Sequence, residues 1–305
     1  MPIDAVSVLP EPHALAAKLG HALPHFASVD WQASVASTNQ SLMAQVRQSN
    51  PNGDLGWPRL LGAHHQTAGR GRAGRPWQDQ GGQALMFSCG FKTDLTLPQL
   101  AGLAPALGIA SAEALREQLL AAGASPEVIG ALRIKWPNDL MLADAKLAGI
   151  LVESVVRQKQ EGQQQTKPVL YLVAGMGLNV SGHHQLSNVL GRAVADLSQV
   201  GVQLDLVALV ATLASAWQAT LRTLASDGFA PFVDRIKPID YLQGRTIDVM
   251  QQDVVLHTGC AMGVTGQGAL ALALASGAIE PVMVGDVSIR WQSPDARHDG
   301  IRGTP

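Results

Sequence analysis

The sequence predicts an α+β fold: a mixed β-sheet with helices, followed by a small C-terminal β-barrel. Three observations predict it. Strand-like runs are joined mostly by short hairpin turns and do not alternate one for one with helices, which argues against a doubly wound sheet. Segments of helical period collect mainly at 99–122 and beyond Asp205. After Pro238, only short strand-like runs separated by glycine-containing turns remain.

Composition narrows the function classes. The chain has 305 residues, 47% hydrophobic, with 22 Lys+Arg against 24 Asp+Glu and a formal charge of -2. That excludes a disordered chain and a global basic field for nucleic acid. Cys89 and Cys260 cannot build a disulfide framework, and no CxxC pair suggests zinc. The start has no signal-peptide pattern. Of the longest charge-free runs, 95–112 contains Pro98 and Pro105, and 254–279 is broken by glycines, so neither reads as a membrane span. A cytoplasmic protein without membrane contact is expected.

The elements follow in order. Residues 1–27 read as a polar lead-in with one short helix. Val29, Trp31, Ala33 and Val35 alternate as in a strand, and Leu42, Met43 and Val46 follow at helical spacing, with Ser37, Thr38 and Asn39 at the junction where helix caps belong. A strand is expected over 60–66, then a glycine–arginine loop over 69–77. The next strand sets Leu85, Phe87, Cys89 and Phe91 on one face. An Ala/Leu-rich helix over 99–122 ends near Gly123. Leu132, Ile134 and Trp136 share one side of a strand that runs into the turn Pro137-Asn138-Asp139. Residues 139–156 read as a hairpin turning at 143–145, and the polar 161–167 links it to a strand over 169–180. Leu206, Val210, Leu213, Trp217, Leu221 and Leu224 form one helical stripe. The expected organisation is a lead-in (1–27), a main domain (28–237) and a β module (238–305).

Several segments combine residue types suited to chemistry. Residues 69–77 contain GxGxxG, but Arg75-Pro76-Trp77 and a turn-like stretch follow where a dinucleotide fold needs a helix. What remains is a loop in which Arg70, Arg72 and Arg75 alternate with glycines, able to approach an anion closely or simply to lie in solvent. Lys135 sits beside Asn138 and Asp139, a set suited to a polyphosphate with magnesium, although a turn alone explains Pro-Asn-Asp. Lys146 opens a strand, where lysines commonly do no more than blunt an edge. Gly175 and Gly177 precede Asn179 within a strand; a bulge is the commoner reading, close ligand approach the other. Ser37-Thr38-Asn39 reads first as a helix cap, the commoner case for such a run. The pairs His64-His65 and His183-His184 are not spaced for one metal, and neither HExxH nor GxSxG occurs.

Taken together, STN at 37–39, GRGRAGRPW at 69–77, KWPNDL at 135–140, KLAGILVE at 146–153 and GMGLNV at 175–180 resemble the biotin–protein ligase family in order and spacing. The C-terminal GDVSIRW region is similar to that family's SH3-like domain. The resemblance implies a class II aminoacyl-tRNA synthetase-like ligase core that makes biotinyl-5′-AMP from biotin and ATP. It then implies transfer of biotin to one lysine of a biotin carboxyl carrier domain, of acetyl-CoA carboxylase type.

It further implies catalytic roles for Lys146 and Arg70. Biotin would be held by Ser37, Thr38, Asn39, Gln66, Gly69 and Gly71, with Arg70, Arg72 and Lys146. ATP would be held by Arg72, Arg75, Trp77, Lys135, Asn138, Asp139 and Asn179. Magnesium is expected with ATP and not at a dedicated protein site, and no prosthetic group is expected. The expected state is a monomer or homodimer.

Two departures stand out. Ala73 occupies a position where some members carry arginine. Only 36 residues precede Ser37, too few for the winged-helix domain of bifunctional members, so DNA binding is not expected. A lipoate–protein ligase and a catalytically silent ligand-binding regulator are the competing readings.

Overall fold

The computed structural model describes residues 9–48, 56–78, 81–157, 168–285 and 287–291. Helix α1 (Pro12–Ala22) starts with proline in its first turn, where the missing N–H costs nothing. Leu15, Leu19 and Leu23 recur every fourth residue and are all buried. The lead-in is therefore less polar than expected, since one face of its helix joins the main core.

Strand β1 (Ser28–Val35), helix α2 (Thr38–Gln48) and strand β2 (Arg59–Gln66) form a β-α-β unit with parallel strands. Antiparallel pairing then adds β3 (Ala84–Thr93). Its residues 84–91 are all buried, so this central strand is covered on both faces and the expected one-sided alternation underestimates it. A short 3-10 turn over Leu97–Gly102 leads into α3 (Leu103–Ala121), and α4 (Pro126–Ala131) follows with Ser125 as N-cap.

Strands β4 (Leu132–Lys135), β5 (Asp139–Leu142), β6 (Ala145–Arg157) and β7 (Val169–Asn179) complete a 7-stranded sheet of order β1-β2-β3-β7-β6-β5-β4. Helices α5 (His183–Leu190), α6 (Leu206–Asp227) and α7 (Ala230–Ile236) follow. Asp205 caps α6 by accepting from Val207 N at 2.8 Å. The predicted stripe on α6 is buried, and its Trp217 stacks on Phe87 of β3 at 5.5 Å while donating to Ser111 Oγ of α3 at 2.8 Å.

The bulge expected at Gly175 and Gly177 does not form. Both β3 and β6 pair with β7 in unbroken register through these glycines. Their role is spatial. A Cβ on Gly175 would lie 2.1 Å from Asn39 Oδ1, and one on Gly177 would lie 2.4 Å from the Trp77 ring.

The C-terminal part is an antiparallel 5-stranded sheet, the SH3-like module: β8 (Thr246–Gln251), β9 (Val254–Val264), β10 (Leu270–Leu274), β11 (Ile279–Val282) and β12 (Val287–Trp291), in the order β11-β10-β9-β8-β12. Trp136, in the β4–β5 turn, is buried in this module's core and donates from Nε1 to Gly268 O at 3.0 Å. The two sheets thus share an anchored side chain. Among the described residues, no helix is long and apolar enough to cross a membrane.

Candidate active site

A cavity of about 850 Å³ opens between the 69–77 loop, the main sheet and the C-terminal module. One end is polar and neutral. The start of α2 brings Ser37, Thr38 and Asn39 against the end of β2, where Gln66 Oε1 accepts from Thr38 N at 2.8 Å. All three residues are buried, which the cap reading alone does not require. Ser37 also caps, weakly, through Gln40 N at 3.4 Å.

The arginine loop is a small hairpin. Trp77 N donates to Gly69 O at 2.9 Å and Gly71 N to Arg75 O at 2.7 Å. Its tip turns at Ala73 (φ 52) and Gly74 (φ 69), both in the left-handed region. The cations leave this frame in different directions. Arg70 pairs with Glu153 of β6 at 3.0 Å. Arg72 donates from Nη1 to Asn138 Oδ1 at 3.2 Å and from Nη2 to Val287 O at 3.2 Å, joining the loop to both sheets. Arg75 lines the cavity and makes no ion pair among the described residues. Trp77 lies on the bare backbone of Gly177.

Lys146 lines the same cavity. Its Nζ is 2.6 Å from Asp139 Oδ1 and 5.7 Å from the centre of the Trp77 ring. Gly149 makes room for it, since a Cβ there would stand 3.0 Å from Nζ. Beyond it lies the cationic end. Burial lowers the Lys135 pKa below the ordinary lysine value, and the positive charges of Lys146, Arg192 and Arg245 lower it further against the pull of Asp139. Such a field, with Asp139 already engaged by Lys146, favours an incoming polyanion.

Of the residues expected from sequence, Ser37, Thr38, Asn39, Gln66, Arg70, Gly71, Arg72, Arg75, Trp77, Lys135, Asn138, Asp139 and Lys146 all line this one cavity. Two do not. Gly69 is buried in the hairpin base, and Asn179 points away from the cavity to donate to Ala195 O at 3.0 Å. That bond holds the 191–195 segment beside Lys146, whose carbonyl accepts from Ala195 N at 2.9 Å. Asn138 is also partly structural, giving Nδ2 to Ile150 O at 2.6 Å.

Sequence reasoning missed Ser88, Arg192 and the aromatic pair Tyr241 and Trp291. The last two hold Arg245 between them, 4.0 Å from each ring, and Tyr241 donates to Asp144 at 3.0 Å. A lone hydroxyl in the apolar run of β3 was the available signal for Ser88. Among the described residues, no group of three His, Cys, Asp or Glu could hold a metal.

Residues 31–165 match the model of the biotin/lipoate A/B protein ligase family. Over 258 residues the chain is 32% identical to the bifunctional ligase/repressor BirA of Salmonella typhimurium, an alignment covering 84% of this chain and 72% of that protein. The chain belongs to the biotin/lipoate A/B protein ligase family. A second family relative, the biotin–[acetyl-CoA-carboxylase] ligase of Paracoccus denitrificans, is 36% identical over 179 residues, 55% of this chain and 65% of that one. The family fold is seen again in the biotin protein ligase from Aquifex aeolicus in complex with biotin and ATP. That structure has a TM-score of 0.63 and 23% identity, covering 86% of this chain and 98% of that one.

Proposed function

We propose that the chain is an ATP-dependent biotin–protein ligase. In the first step a biotin carboxylate oxygen attacks the α-phosphorus of ATP. The bond from that phosphorus to the bridging oxygen breaks, pyrophosphate leaves, and biotinyl-5′-AMP forms. In the second step a neutral lysine amine of a biotin carboxyl carrier domain attacks the acyl carbon. AMP leaves with the bonding electrons, and the amine's extra proton passes to solvent.

One observation carries this reading: Lys146 shares one cavity with the hydroxyl and amide of Thr38 and Gln66 and with Lys135, whose charge it feels. The first step brings two anions together, so its barrier is dominated by positioning and charge neutralisation. Lys146 would bridge the carboxylate and the α-phosphate, leaving Asp139 to orient the ammonium from behind. The ureido head of biotin, with one carbonyl and two N–H groups, suits the pocket of hydroxyls and amides. Arg72, Arg75 and Lys135 would take the phosphates, and magnesium would arrive on the nucleotide as part of the substrate.

The glycine–arginine hairpin would close over the mixed anhydride and keep water from it. Closure predicts that biotin plus ATP slows protease cleavage within 69–77; unchanged cleavage would remove the gating idea. The decisive experiment incubates the protein with biotin, ATP, magnesium and a carrier domain. The expected result is the mass of one biotinyl group on a single lysine. Turnover with lipoate and none with biotin would overturn the reading.

A further inference from the structure

Four of the residues given to biotin belong to one chain of hydrogen bonds, and two others complete it. Gln66 Oε1 accepts from Thr38 N. Ser88 Oγ lies 2.7 Å from Thr38 Oγ1 and 2.6 Å from Asn39 Oδ1. Asn39 Nδ2 donates to Glu153 Oε2 at 2.9 Å and to Leu151 O at 3.4 Å. Glu153 Oε1 accepts from Arg70 Nη2 at 3.0 Å. Thr38, Asn39 and Ser88 are buried, so each of their polar atoms needs a partner.

Proton counting gives this chain a single direction. Ionised Glu153 can only accept, so Asn39 must face it with its NH₂ and turn Oδ1 toward Ser88. Ser88 has one hydrogen, and Asn39 Oδ1 can only accept, so that hydrogen goes to Asn39. The Thr38 hydroxyl then donates to Ser88 at 2.7 Å in preference to Gln66 Oε1 at 3.2 Å, because the Thr38 backbone N–H already serves Gln66 Oε1 at 2.8 Å. Gln66 Nε2 is left to donate into the cavity. Both polar side-chain atoms of Asn39 are engaged in this chain, so it serves as a strut within the cavity wall.

We infer that Glu153 and Ser88 are positioning residues. Together they set the donor and acceptor pattern of the pocket end proposed above for biotin, and they tie it to Arg70 of the loop. This rests on the biotin reading. The polarity originates at the carboxylate, whose two oxygens serve two donors. In Glu153→Gln one of those positions becomes an NH₂, facing either Asn39 Nδ2 or Arg70, donor against donor. The side chain keeps its shape and is partly exposed on β6.

The test is biotin binding by calorimetry without ATP, together with the KM of ATP in pyrophosphate release at saturating biotin. Glu153→Gln is expected to weaken biotin by about tenfold, the equivalent of one lost buried hydrogen bond. The KM of ATP should stay within about twofold and the melting temperature should hold. Glu153→Asp, which keeps a two-sided acceptor, should recover part of the loss. Ser88→Ala should reproduce the biotin defect; if it does not fold, the two Glu153 variants decide. Wild-type biotin affinity in Glu153→Gln, or equal losses toward biotin and ATP, would overturn the inference. Failure of the unmodified protein to bind biotin would instead bring down the ligase reading on which it rests.

Discussion

Lys146 of β6 and Lys135 of β4 line one cavity but in different environments, and their expected behaviour differs accordingly. Lys146 has its carboxylate partner Asp139 at 2.6 Å. Lys146→Ala should cut biotin-dependent pyrophosphate release by on the order of 10²–10³, the usual loss for a preorganised charge stabiliser. Lys135 has its pKa lowered, first by burial. Its charge is therefore lost at lower pH than that of an ordinary lysine. In a pH profile, kcat/KM for ATP should fall on the alkaline side below the usual lysine range, and Lys135→Arg should move that limb upward. Stability has the opposite sign. Between the depressed folded value and the unfolded one, the unfolded chain binds more protons, so this group makes stability rise with pH. At this scale the sequence was informative about charged and glycine positions, because KWPNDL and GRGRAGR carry their chemistry in residue type. It was silent about Ser88, whose meaning depends on Asn39 and Thr38 arriving from another element.

The elements show where local pattern succeeds and where partners decide. Helical period identified α2 and α6, and the hairpin at 143–145 followed from its turn residues. The lead-in helix was undervalued because the prolines, histidines and lysine around it distracted from a one-sided leucine row. Leu19→Ala on α1 should cost about 2–5 kcal/mol in chemical denaturation, the range for a fully buried leucine. Glycines in β7 suggested a bulge, the commoner cause of glycine in strands, yet the ladder is continuous. No single-strand argument reveals that Asn39 and Trp77 need the vacated space. Gly177→Ala should displace the Trp77 ring, which is 2.4 Å from the added Cβ. The expected cost is about 1–3 kcal/mol with slower pyrophosphate release, read out by tryptophan fluorescence and activity.

At the scale of the whole molecule, the α+β class and the separate C-terminal sheet were legible because hairpins and glycine turns recur along the chain. The junction between the two sheets was not. Trp136 looked like one more inward residue of a strand, but it is buried in the other sheet's core. Trp136→Ala should destabilise by about 3–5 kcal/mol. Trp136→Phe keeps most of the packing and leaves Gly268 O without its donor, costing about 1–3 kcal/mol. Denaturation followed at both sheets should give coincident transitions in the unmodified protein and separated ones in Trp136→Ala.

Gly149 and Gly177 face each other across β6 and β7, and Gly175 lies one step along the same face. The floor beneath Lys146, Trp77 and Asn39 is therefore naked main chain. At Gly175 and Gly177 any other residue begins with a Cβ that enters space held by Asn39 and Trp77, whereas at Gly149 it would press only on the flexible end of Lys146. In a saturation library selected for biotin transfer, Gly175 and Gly177 should accept the fewest replacements, Gly149 should accept small ones, and neighbouring apolar sites should trade Leu, Ile and Val freely. The information the chain must preserve there is concentrated in residues that have no side chain at all.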